Sequence, residues 1–348
     1  MIILKFLPNF VVISPKTFTK ILNRMNTEKT KDTGRRQFLR QSLLGMAGLT
    51  ILPSWSKDGR SALLQSQSSM NTKKKIGLQI YSLGKELYQD VPGGLQRIAR
   101  MGYSTLELAG YRDGKINDVE MEDFRKMAED AGLKIVSSHL NPPVREYTAS
   151  NKGSIADFWK KAADDHAKIG VTYIVQPGQP STRNTEEVST VCEVFNEAGK
   201  IAKSRGLIFG YHNHEMEFSR VIPGGKEMVF SRRAFAGNKD AEVIYDLLLK
   251  QTDPELVIFE LDVYWAVMGQ VDPVEYMKKY ADRIRLLHIK DRAVLGQSGM
   301  MNFENIFAQA YRNNIQDYFV ELEGITSGTQ FEGVKGCADY LLRADFVK

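Results

Sequence analysis

Two histidines and two acidic residues stand at the ends of short apolar runs in the second half of the chain: His212, Asp262, His288 and Glu321. Two imidazoles and two carboxylates form a mixed nitrogen and oxygen donor set. Such a set suits Mn²⁺, Zn²⁺, Fe²⁺ or Co²⁺ and fits Ca²⁺ or Mg²⁺ poorly. We therefore expect a divalent transition metal at these residues, with manganese as the first choice and zinc, cobalt or iron as alternatives.

Each of these runs carries a second ionisable residue two positions from the first. Side chains in a strand alternate with a period of two, so both members of a pair face the same way. The second members are His214, Glu260, Lys290 and Glu323. Burial of so many ionisable groups without partners costs free energy, and a bound divalent cation would offset this cost. Hydrogen-bonded ion pairs in a core without a metal are the alternative.

The segments that carry these residues alternate with stretches of helical period, which is typical of βα units and a parallel sheet. The predicted strands are 75–81, 104–108, 134–139, 172–176, 207–212, 256–262, 285–290 and 318–323. The predicted helices are 92–101, 120–131, 154–169, 185–205, 240–250, 273–280, 303–313 and 334–343.

Eight such repeats in about 275 residues predict an α/β fold of the (β/α)8 type, a TIM barrel, as a single domain over residues 73–348. A doubly wound sheet is the main competitor, but no G-x-G-x-x-G follows the first strand and no Walker sequence is present. In a TIM barrel the active site lies at the carboxyl ends of the strands, where the ionisable pairs are found.

Residues 1–72 are predicted to be an N-terminal extension with an export signal and a linker. Arg35 and Arg36 precede an apolar stretch, 43–52, that is too short to span a bilayer. This arrangement resembles a twin-arginine signal, which implies the export machinery for folded proteins as a partner, a periplasmic location and no stable membrane anchor. A basic amphipathic helix that belongs to the fold is the alternative.

Net charge and cysteine content exclude two classes of protein. The formal charge is +5, but residues 1–53 carry nine Lys/Arg against two acids, which leaves −2 for the remainder. No basic face for nucleic acid is therefore expected. The two cysteines, Cys192 and Cys337, lie in no CxxC motif and read as small buried residues rather than as part of a disulfide framework.

Four motifs at successive strand ends carry a resemblance to a known family. They are Gly210-Tyr211-His212-Asn213-His214 with Glu217-Phe218, Leu261-Asp262-Val263-Tyr264-Trp265, Leu287-His288-Ile289-Lys290-Asp291 and Val320-Glu321-Leu322-Glu323. Together they resemble the sugar phosphate isomerase/epimerase family, which has the xylose isomerase-like TIM barrel. The resemblance covers the chain from about Lys73 to its C-terminus.

The resemblance implies a metal held by residues of the fifth to eighth strands. Sugar epimerases of this family use Glu, Asp, His and Glu there, and the two Glu act as the acid/base pair. Asp262, His288 and Glu321 match the last three positions, whereas His212 replaces the first Glu. A metal-bound neutral imidazole cannot act as the carboxylate base of a two-base epimerisation.

Two chemistries are compatible with that replacement. One is isomerisation or epimerisation of a non-phosphorylated sugar through a metal-stabilised enediolate, with Glu321 as one base and His214 or Glu107 as its partner. The other is a 3-keto-glycoside 1,2-lyase reaction, in which a base removes the C2 proton and the aglycone leaves from C1. A non-catalytic sugar-binding barrel is a third reading, and an abasic-DNA endonuclease with three zinc ions is disfavoured by the five histidines and the acidic body.

Further side chains near these motifs are expected to contact the substrate. The resemblance places substrate contacts at Glu107 and His139, and Trp265 is suited to stacking on a sugar ring. Lys290 is expected to bind substrate oxygens or to pair with Glu321 or Glu323, and Glu323 is a candidate contact as well. His166, flanked by charged residues, is expected to be a solvated surface residue.

Overall fold

The structure, a computed structural model, describes residues 2–6, 9–13, 74–224 and 240–348. The chain divides into two compact units, Met1–Ser69 and Met70–Lys348. In the first, Ile2–Phe6 and Asn9–Ile13 pair as antiparallel strands. Arg35, Arg36 and the apolar stretch of the predicted signal lie outside the described residues. Among the described residues, no helix is long and apolar enough to cross a membrane.

The second unit is built around a closed barrel of eight parallel strands, which confirms the predicted fold class. In chain order the strands are β1 (Ile76–Gln79), β2 (Tyr103–Leu108), β3 (Lys134–His139), β4 (Tyr173–Gln176), β5 (Ile208–His212), β6 (Val257–Asp262), β7 (Ile284–Ile289) and β8 (Asp317–Val320). Each strand pairs with its neighbours in sequence, and β8 pairs with β1.

Helices connect the strands on the outside of the barrel. They are α1 (Val91–Arg100), α2 (Met121–Asp130), α3 (Lys152–Lys168), α4 (Thr185–Lys203), α5 (Ile244–Gln251), α6 (Val263–Met268), α7 (Pro273–Lys279), α8 (Phe303–Arg312) and α9 (Gln330–Arg343). The short helix α6 is not predicted by the periodicity. Helix α9 begins earlier than predicted because Thr329 and Glu332 form a capping box that satisfies its first backbone N–H groups.

The loops that follow the strands contain shorter elements of secondary structure. The first loop is a 3₁₀ segment, Ile80–Gln89, and a second 3₁₀ turn covers Met216–Phe218. Two-residue strands pair within the loop after β2 (Tyr111–Arg112, Lys115–Ile116 and Val119–Glu120) and in the loop after β5 (Arg220–Val221 with Glu242–Val243).

Several strands end earlier than the sequence pattern predicts. Strand β1 ends at Gln79, β7 at Ile289 and β8 at Val320, whereas β5 ends at His212 as predicted. Lys290, Glu321 and Glu323 therefore lie in loops just beyond the barrel rather than within strands. The interior of the barrel is filled by an apolar layer composed of Val136, Val175, Leu286 and Phe319. The polar side chains of the site lie above this layer, since His288 follows Leu286 by one strand period.

His166 is not on the surface, so that expectation is wrong. Its imidazole is fully buried between α3 and the barrel. Nδ1 lies 2.7 Å from the carbonyl oxygen of Ala162, and Nε2 lies 2.9 Å from Oγ of Ser138 on β3. Residues 155, 159, 162 and 163 of α3 are buried as well, so His166 continues the apolar stripe of this helix despite its charged neighbours in sequence. Both cysteines are buried and free, as expected.

Candidate active site

The structure brings together the four residues predicted to bind a metal. His212 and Asp262 are the last residues of β5 and β6, His288 is on β7, and Glu321 directly follows β8. One donor atom from each lies within 4.8 Å of all the others, and all four side chains are buried. Four neighbouring strand ends therefore converge on one small volume that is lined by nitrogen and oxygen donors.

The donor atoms of this set fit a cation. The His212 imidazole is buried, and neither ring nitrogen has a hydrogen-bond partner within the described part of the chain. Oδ2 of Asp262 also lacks a partner there and lies 3.5 Å from Nε2 of His212. A buried polar atom without a partner costs about 1–3 kcal/mol. A divalent ion would satisfy Nε2 of His212 and Oδ2 of Asp262 at once, and the two-nitrogen, two-oxygen chemistry suits a transition metal.

Neighbouring residues order the two carboxylates differently. Asp262 accepts a hydrogen bond from the backbone N–H of Trp265 through Oδ1, at 2.8 Å, which directs Oδ2 toward His212. Burial raises the pKa of Asp262 to about 7, which the nearby Lys290 only partly opposes. Burial alone would raise the pKa of Glu321 too, but His288 and Lys290 hold it well below its usual range. Glu321 is therefore fixed as a carboxylate.

A second group of four buried residues lies next to this set and shares His288 with it. Glu107 is the penultimate residue of β2, His139 ends β3, and Glu260 precedes Asp262 on the same face of β6. Nε2 of His139 lies 2.7 Å from Oε2 of Glu260 and 3.1 Å from Oε1 of Glu107. The rings of His139 and His288 stack at 4.9 Å. Two imidazoles thus stand between two carboxylates.

Glu107 is the carboxylate with the most donors in this second group. Its Oε1 accepts from Nε2 of Gln79 at 2.8 Å and lies 2.7 Å from Nε2 of His288. Burial would raise the pKa of Glu107, but His139 and His288 keep it below its usual value. Burial would lower the pKa of His288, yet Glu260 and Glu107 raise it well above the usual range. Glu107 therefore stabilises a proton on Nε2 of His288.

Glu260 is a site residue that the sequence reasoning did not assign. It was noted only as sharing a face with Asp262, and the structure places it against His139 and His288. Burial and the neighbouring Glu107 raise its pKa. The period-two pair of Glu260 and Asp262 indicates that both side chains face the interior of the barrel. Which strand ends lie opposite Glu260, however, depends on how the barrel closes.

His214 is positioned by a buried carboxylate. Its backbone N–H donates to Oε2 of Glu217 at 3.1 Å, and the hydroxyl of Tyr211 donates to the other oxygen of Glu217 at 2.5 Å. Burial raises the pKa of Glu217 to about 8. The His214 ring, half-buried, lies 5.1 Å from the ring of His212. Burial lowers the pKa of His214, so its imidazole is neutral at neutral pH.

Lys290 is a buried cation between the predicted substrate contacts. Its Nζ lies 2.9 Å from Oε2 of Glu321 and 2.8 Å from Oε2 of Glu323, so both ion pairs considered from the sequence are present. The same ammonium lies 4.7 Å from the centre of the Trp265 ring, which packs against His214 at 5.6 Å. Trp265 thus contacts protein side chains, and the lysine orders Glu321 through Oε2, the same oxygen that lies 3.3 Å from Nδ1 of His288.

A cavity of about 660 Å³ opens beside these residues at the carboxyl end of the barrel. We call the part of its lining that is formed by His139, His214, Glu321 and Glu323 the inner part, because Glu321 belongs to the donor set. Its outer part is lined by the 3₁₀ loop after β1 and by the loops after β2, β3 and β4. Cavities of about 300–1,000 Å³ are typical of small-molecule sites. The cavity is therefore large enough for a substrate, and Glu321 of the donor set is part of its lining.

Comparison with known proteins identifies the relatives of this chain. Residues 95–340 match the xylose isomerase-like TIM barrel family. An inosose dehydratase of Clostridium perfringens (strain 13 / Type A) is 30% identical over 240 residues, which cover 64% of this chain and 72% of that protein. The family resemblance predicted from the four motifs is thereby confirmed.

Two solved structures are also similar to this chain. Both are of proteins described as sugar phosphate isomerase/epimerase from Parabacteroides distasonis ATCC 8503. One is 54% identical with a TM-score of 0.74, and covers 79% of this chain and 100% of its own. The other is 51% identical with a TM-score of 0.76, and covers 81% of this chain and 100% of its own.

Proposed function

Because this chain belongs to the xylose isomerase-like TIM barrel family, we propose that it is a metal-dependent enzyme that removes a proton from the carbon beside a carbonyl group of a non-phosphorylated sugar. This proposal rests on the buried donor set of His212, Asp262, His288 and Glu321, in which atoms of His212 and Asp262 have no hydrogen-bond partner among the described residues. A divalent cation in this set would polarise a carbonyl group and acidify the adjacent C–H bond. We favour manganese for the mixed donors.

His214 is the best-placed proton acceptor. It lines the cavity, its imidazole is neutral at neutral pH, and Glu217 orders its backbone. A neutral imidazole is an effective general base near pH 7. Glu321 is a weaker candidate, because its ion pair with Lys290 and its contact with His288 lower its basicity. We therefore assign proton removal to His214 and cation binding to Glu321.

Isomerisation or epimerisation is the first candidate reaction. Inversion at one carbon requires that a proton leaves from one face of the ring and returns to the other, and hence requires two groups that reach the substrate. Glu107 is fully buried among Gln79, His139 and His288, which argues against its role as the second base. His139 lines the cavity, but its Nε2 is engaged by Glu260.

This engagement favours a second candidate, elimination from a 3-keto-glycoside, which needs only one strong base. His214 would take the C2 proton, the C–H electrons would form the C1–C2 double bond, and the C1–O bond would break with its electron pair on the aglycone oxygen, which then gains a proton. The inosose dehydratase relative is named for loss of water, a reaction of the same general type.

The choice of a non-phosphorylated sugar rests on the predicted twin-arginine signal. Phosphorylated sugars are cytoplasmic, whereas a protein exported by this route acts in the periplasm, which is the location that we propose. The two solved relatives are described as sugar phosphate isomerase/epimerase, so sugar phosphates should be tested as substrates as well. Turnover of a sugar phosphate at the expense of every free sugar would contradict this part of the proposal.

The proposal is tested by incubating the Mn²⁺-loaded protein in D₂O with keto-sugars, 3-keto-glycosides and sugar phosphates, followed by NMR. Exchange of the proton beside the carbonyl without release of an aglycone supports isomerisation or epimerisation. Release of the aglycone supports elimination. Absence of both for every member of the panel contradicts the proposal.

The substitution Glu321→Gln distinguishes an enzyme from a non-catalytic sugar-binding barrel. In an enzyme this substitution removes one carboxylate of the donor set and abolishes product formation. A protein that only binds sugar would form no product before or after the substitution and would largely retain its affinity for the sugar.

A further inference from the structure

We propose that the outer part of the cavity, around Tyr81, is a subsite for a second ring of the substrate, so that the protein acts on glycosides in preference to single-ring sugars. This inference rests on the proposed function, which places the reacting ring at the inner part beside His214 and Glu321. It adds a second binding region, which is built from residues that the reaction itself does not need.

Tyr81 is exposed on a backbone that is fixed on both sides. Tyr81 is 58% exposed as a residue, whereas Ile80 and Ser82 are buried. The backbone N–H of Tyr81 donates to Oε1 of Gln79 at 2.9 Å, and Oγ of Ser82 accepts from the backbone N–H of Leu322 at 2.9 Å. An aromatic ring on an ordered backbone loses little conformational freedom when a ligand stacks on it.

The anchor of Tyr81 is connected to the buried part of the site. Gln79 accepts from the backbone of Tyr81 through Oε1 and donates to Glu107 through Nε2, at 2.8 Å. Glu107 in turn contacts His288 of the donor set. Three consecutive contacts therefore connect the backbone that carries the exposed ring to the donor set.

The cavity is larger than a single sugar ring needs. Its volume of about 660 Å³ lies in the middle of the range that holds drug-sized ligands, about 300–1,000 Å³, and a lone monosaccharide is much smaller than such a ligand. Tyr81 lines the outer part together with Lys85, Asn141 and Arg145. The Oδ1 atom of Asn141 accepts from the backbone N–H of Gly178 at 2.7 Å, which fixes its amide.

These outer residues have the chemistry that recognises a second ring. An exposed tyrosine offers a flat apolar face, on which the C–H face of a sugar or an aromatic aglycone can stack. Amide, ammonium and guanidinium groups donate hydrogen bonds to hydroxyl groups at the edge of that ring. The shared feature of the ligand is a second ring with one apolar face, attached to the sugar that reacts.

The test compares substrates with one and two rings. The probes are 3-keto-glucose, 4-nitrophenyl 3-keto-β-D-glucoside and a 3-keto-disaccharide, and the readout is kcat/KM for proton exchange in D₂O. We expect wild-type protein to prefer the two-ring probes, and Tyr81→Ala to lower this preference about three- to tenfold, mainly through KM. The matched control is Met300→Ala, which truncates an exposed apolar residue outside this cavity and should keep the preference.

The two probes with two rings identify the second ring. A larger loss of kcat/KM with the nitrophenyl compound indicates an aromatic aglycone, and an equal or larger loss with the disaccharide indicates a sugar.

Dissociation constants of the unoxidised methyl glucoside and cellobiose, measured on the same metal-loaded variants, separate this inference from the proposed reaction. If no probe is turned over but Tyr81→Ala still weakens the binding of cellobiose more than that of methyl glucoside, the subsite is supported and the proposed reaction is contradicted. Equal preference in wild type and Tyr81→Ala in both assays would overturn the subsite.

Discussion

The Nε2 atom of His288 lies 2.7 Å from Oε1 of Glu107, a carboxylate on β2, three strands away from β7 around the barrel. The other nitrogen, Nδ1, lies 3.3 Å from Oε2 of Glu321 in the proposed donor set. One carboxylate thus binds the proton on the buried side of the ring, and the remaining nitrogen faces the donors. Buried hydrogen bonds of this kind fix the orientation of metal-binding histidines and strengthen them as ligands.

This relationship predicts the effect of Glu107→Gln. A neutral amide accepts a weaker hydrogen bond from His288 than a carboxylate does, so the affinity for Mn²⁺ should fall about 10- to 100-fold while the barrel remains folded. Affinity is measured by competition with a fluorescent chelator. Glu323→Gln is the matched control, since Glu323 pairs with Lys290 but contacts neither histidine. Equal affinities for the two variants would show that Glu107 does not act through His288.

Metal binding should stabilise the wild-type protein and leave His212→Ala little affected. Both ring nitrogens of His212 are buried and have no hydrogen-bond partner among the residues that the structure describes, so the folded state is the form that gains from a cation. A ligand at 100 times its Kd adds about 2.7 kcal/mol to the free energy of unfolding. Thermal unfolding with and without Mn²⁺ measures this difference. If Mn²⁺ raised the Tm of both proteins equally, His212 would not be a ligand.

His214→Asn should separate proton removal from metal binding. The substitution removes the proposed base, and general-base catalysis contributes about 10²–10⁴-fold in rate. We therefore expect exchange in D₂O to slow by this factor while the bound metal, measured by elemental analysis, stays at the wild-type level. If His214→Asn exchanged at the wild-type rate, another residue would be the base. If the variant lost its metal, His214 would be a ligand.

His166 should contribute to the dependence of stability on pH. Burial lowers its pKa from 6.5 to about 4 in the folded protein. Between these values the unfolded chain binds a proton that the folded chain does not, so the free energy of unfolding falls by up to about 1.4 kcal/mol for each pH unit as the pH decreases. Above pH 6.5 and below about pH 4 this residue adds no slope.

The comparison variant for this pH dependence is His166→Gln, which retains hydrogen-bonding groups without a titrating ring. Its free energy of unfolding, measured in denaturant from pH 7 to pH 4, should fall less steeply than that of the wild type. Parallel curves for the two proteins would mean that His166 is protonated equally in both states.

The sequence was sufficient to predict the barrel and the convergence of the four residues of the proposed donor set. Eight apolar runs separated by helical segments predict the strand count, and the strand-end positions of Asp262 and His288 follow from the period of two. Glu321 was placed within a strand, yet β8 ends at Val320, so this carboxylate reaches the set from a loop. The convergence was predictable because all parallel strands of a barrel end at one rim.

The second group of buried residues depends on contacts between distant segments. Glu260 and Glu107 are far apart in sequence, and which strand ends face each other across the interior is decided by the stagger of the closed barrel. His166 shows a different failure. Its charged neighbours in sequence suggested a surface position, although the apolar residues at 155, 159, 162 and 163 already marked its face of α3 as buried.

The exposed ring of Tyr81 was likewise beyond the sequence pattern. Residues 75–81 were predicted as a strand, in which Tyr81 would be one more alternating side chain. Instead β1 ends at Gln79, whose amide accepts from the Tyr81 backbone and begins a 3₁₀ segment. A single capping side chain therefore converts the end of a strand into the wall of the cavity.

The most direct test of the central claim is the rate of proton exchange beside the carbonyl of a 3-keto-glycoside in D₂O, measured on chelator-treated protein as Mn²⁺ is added back. We predict no exchange above the buffer rate in the stripped protein, and a rise that saturates at one Mn²⁺ per chain. Exchange that is already complete in the stripped protein, or none at any Mn²⁺ concentration, would contradict a metal-dependent proton abstraction at His212, Asp262, His288 and Glu321.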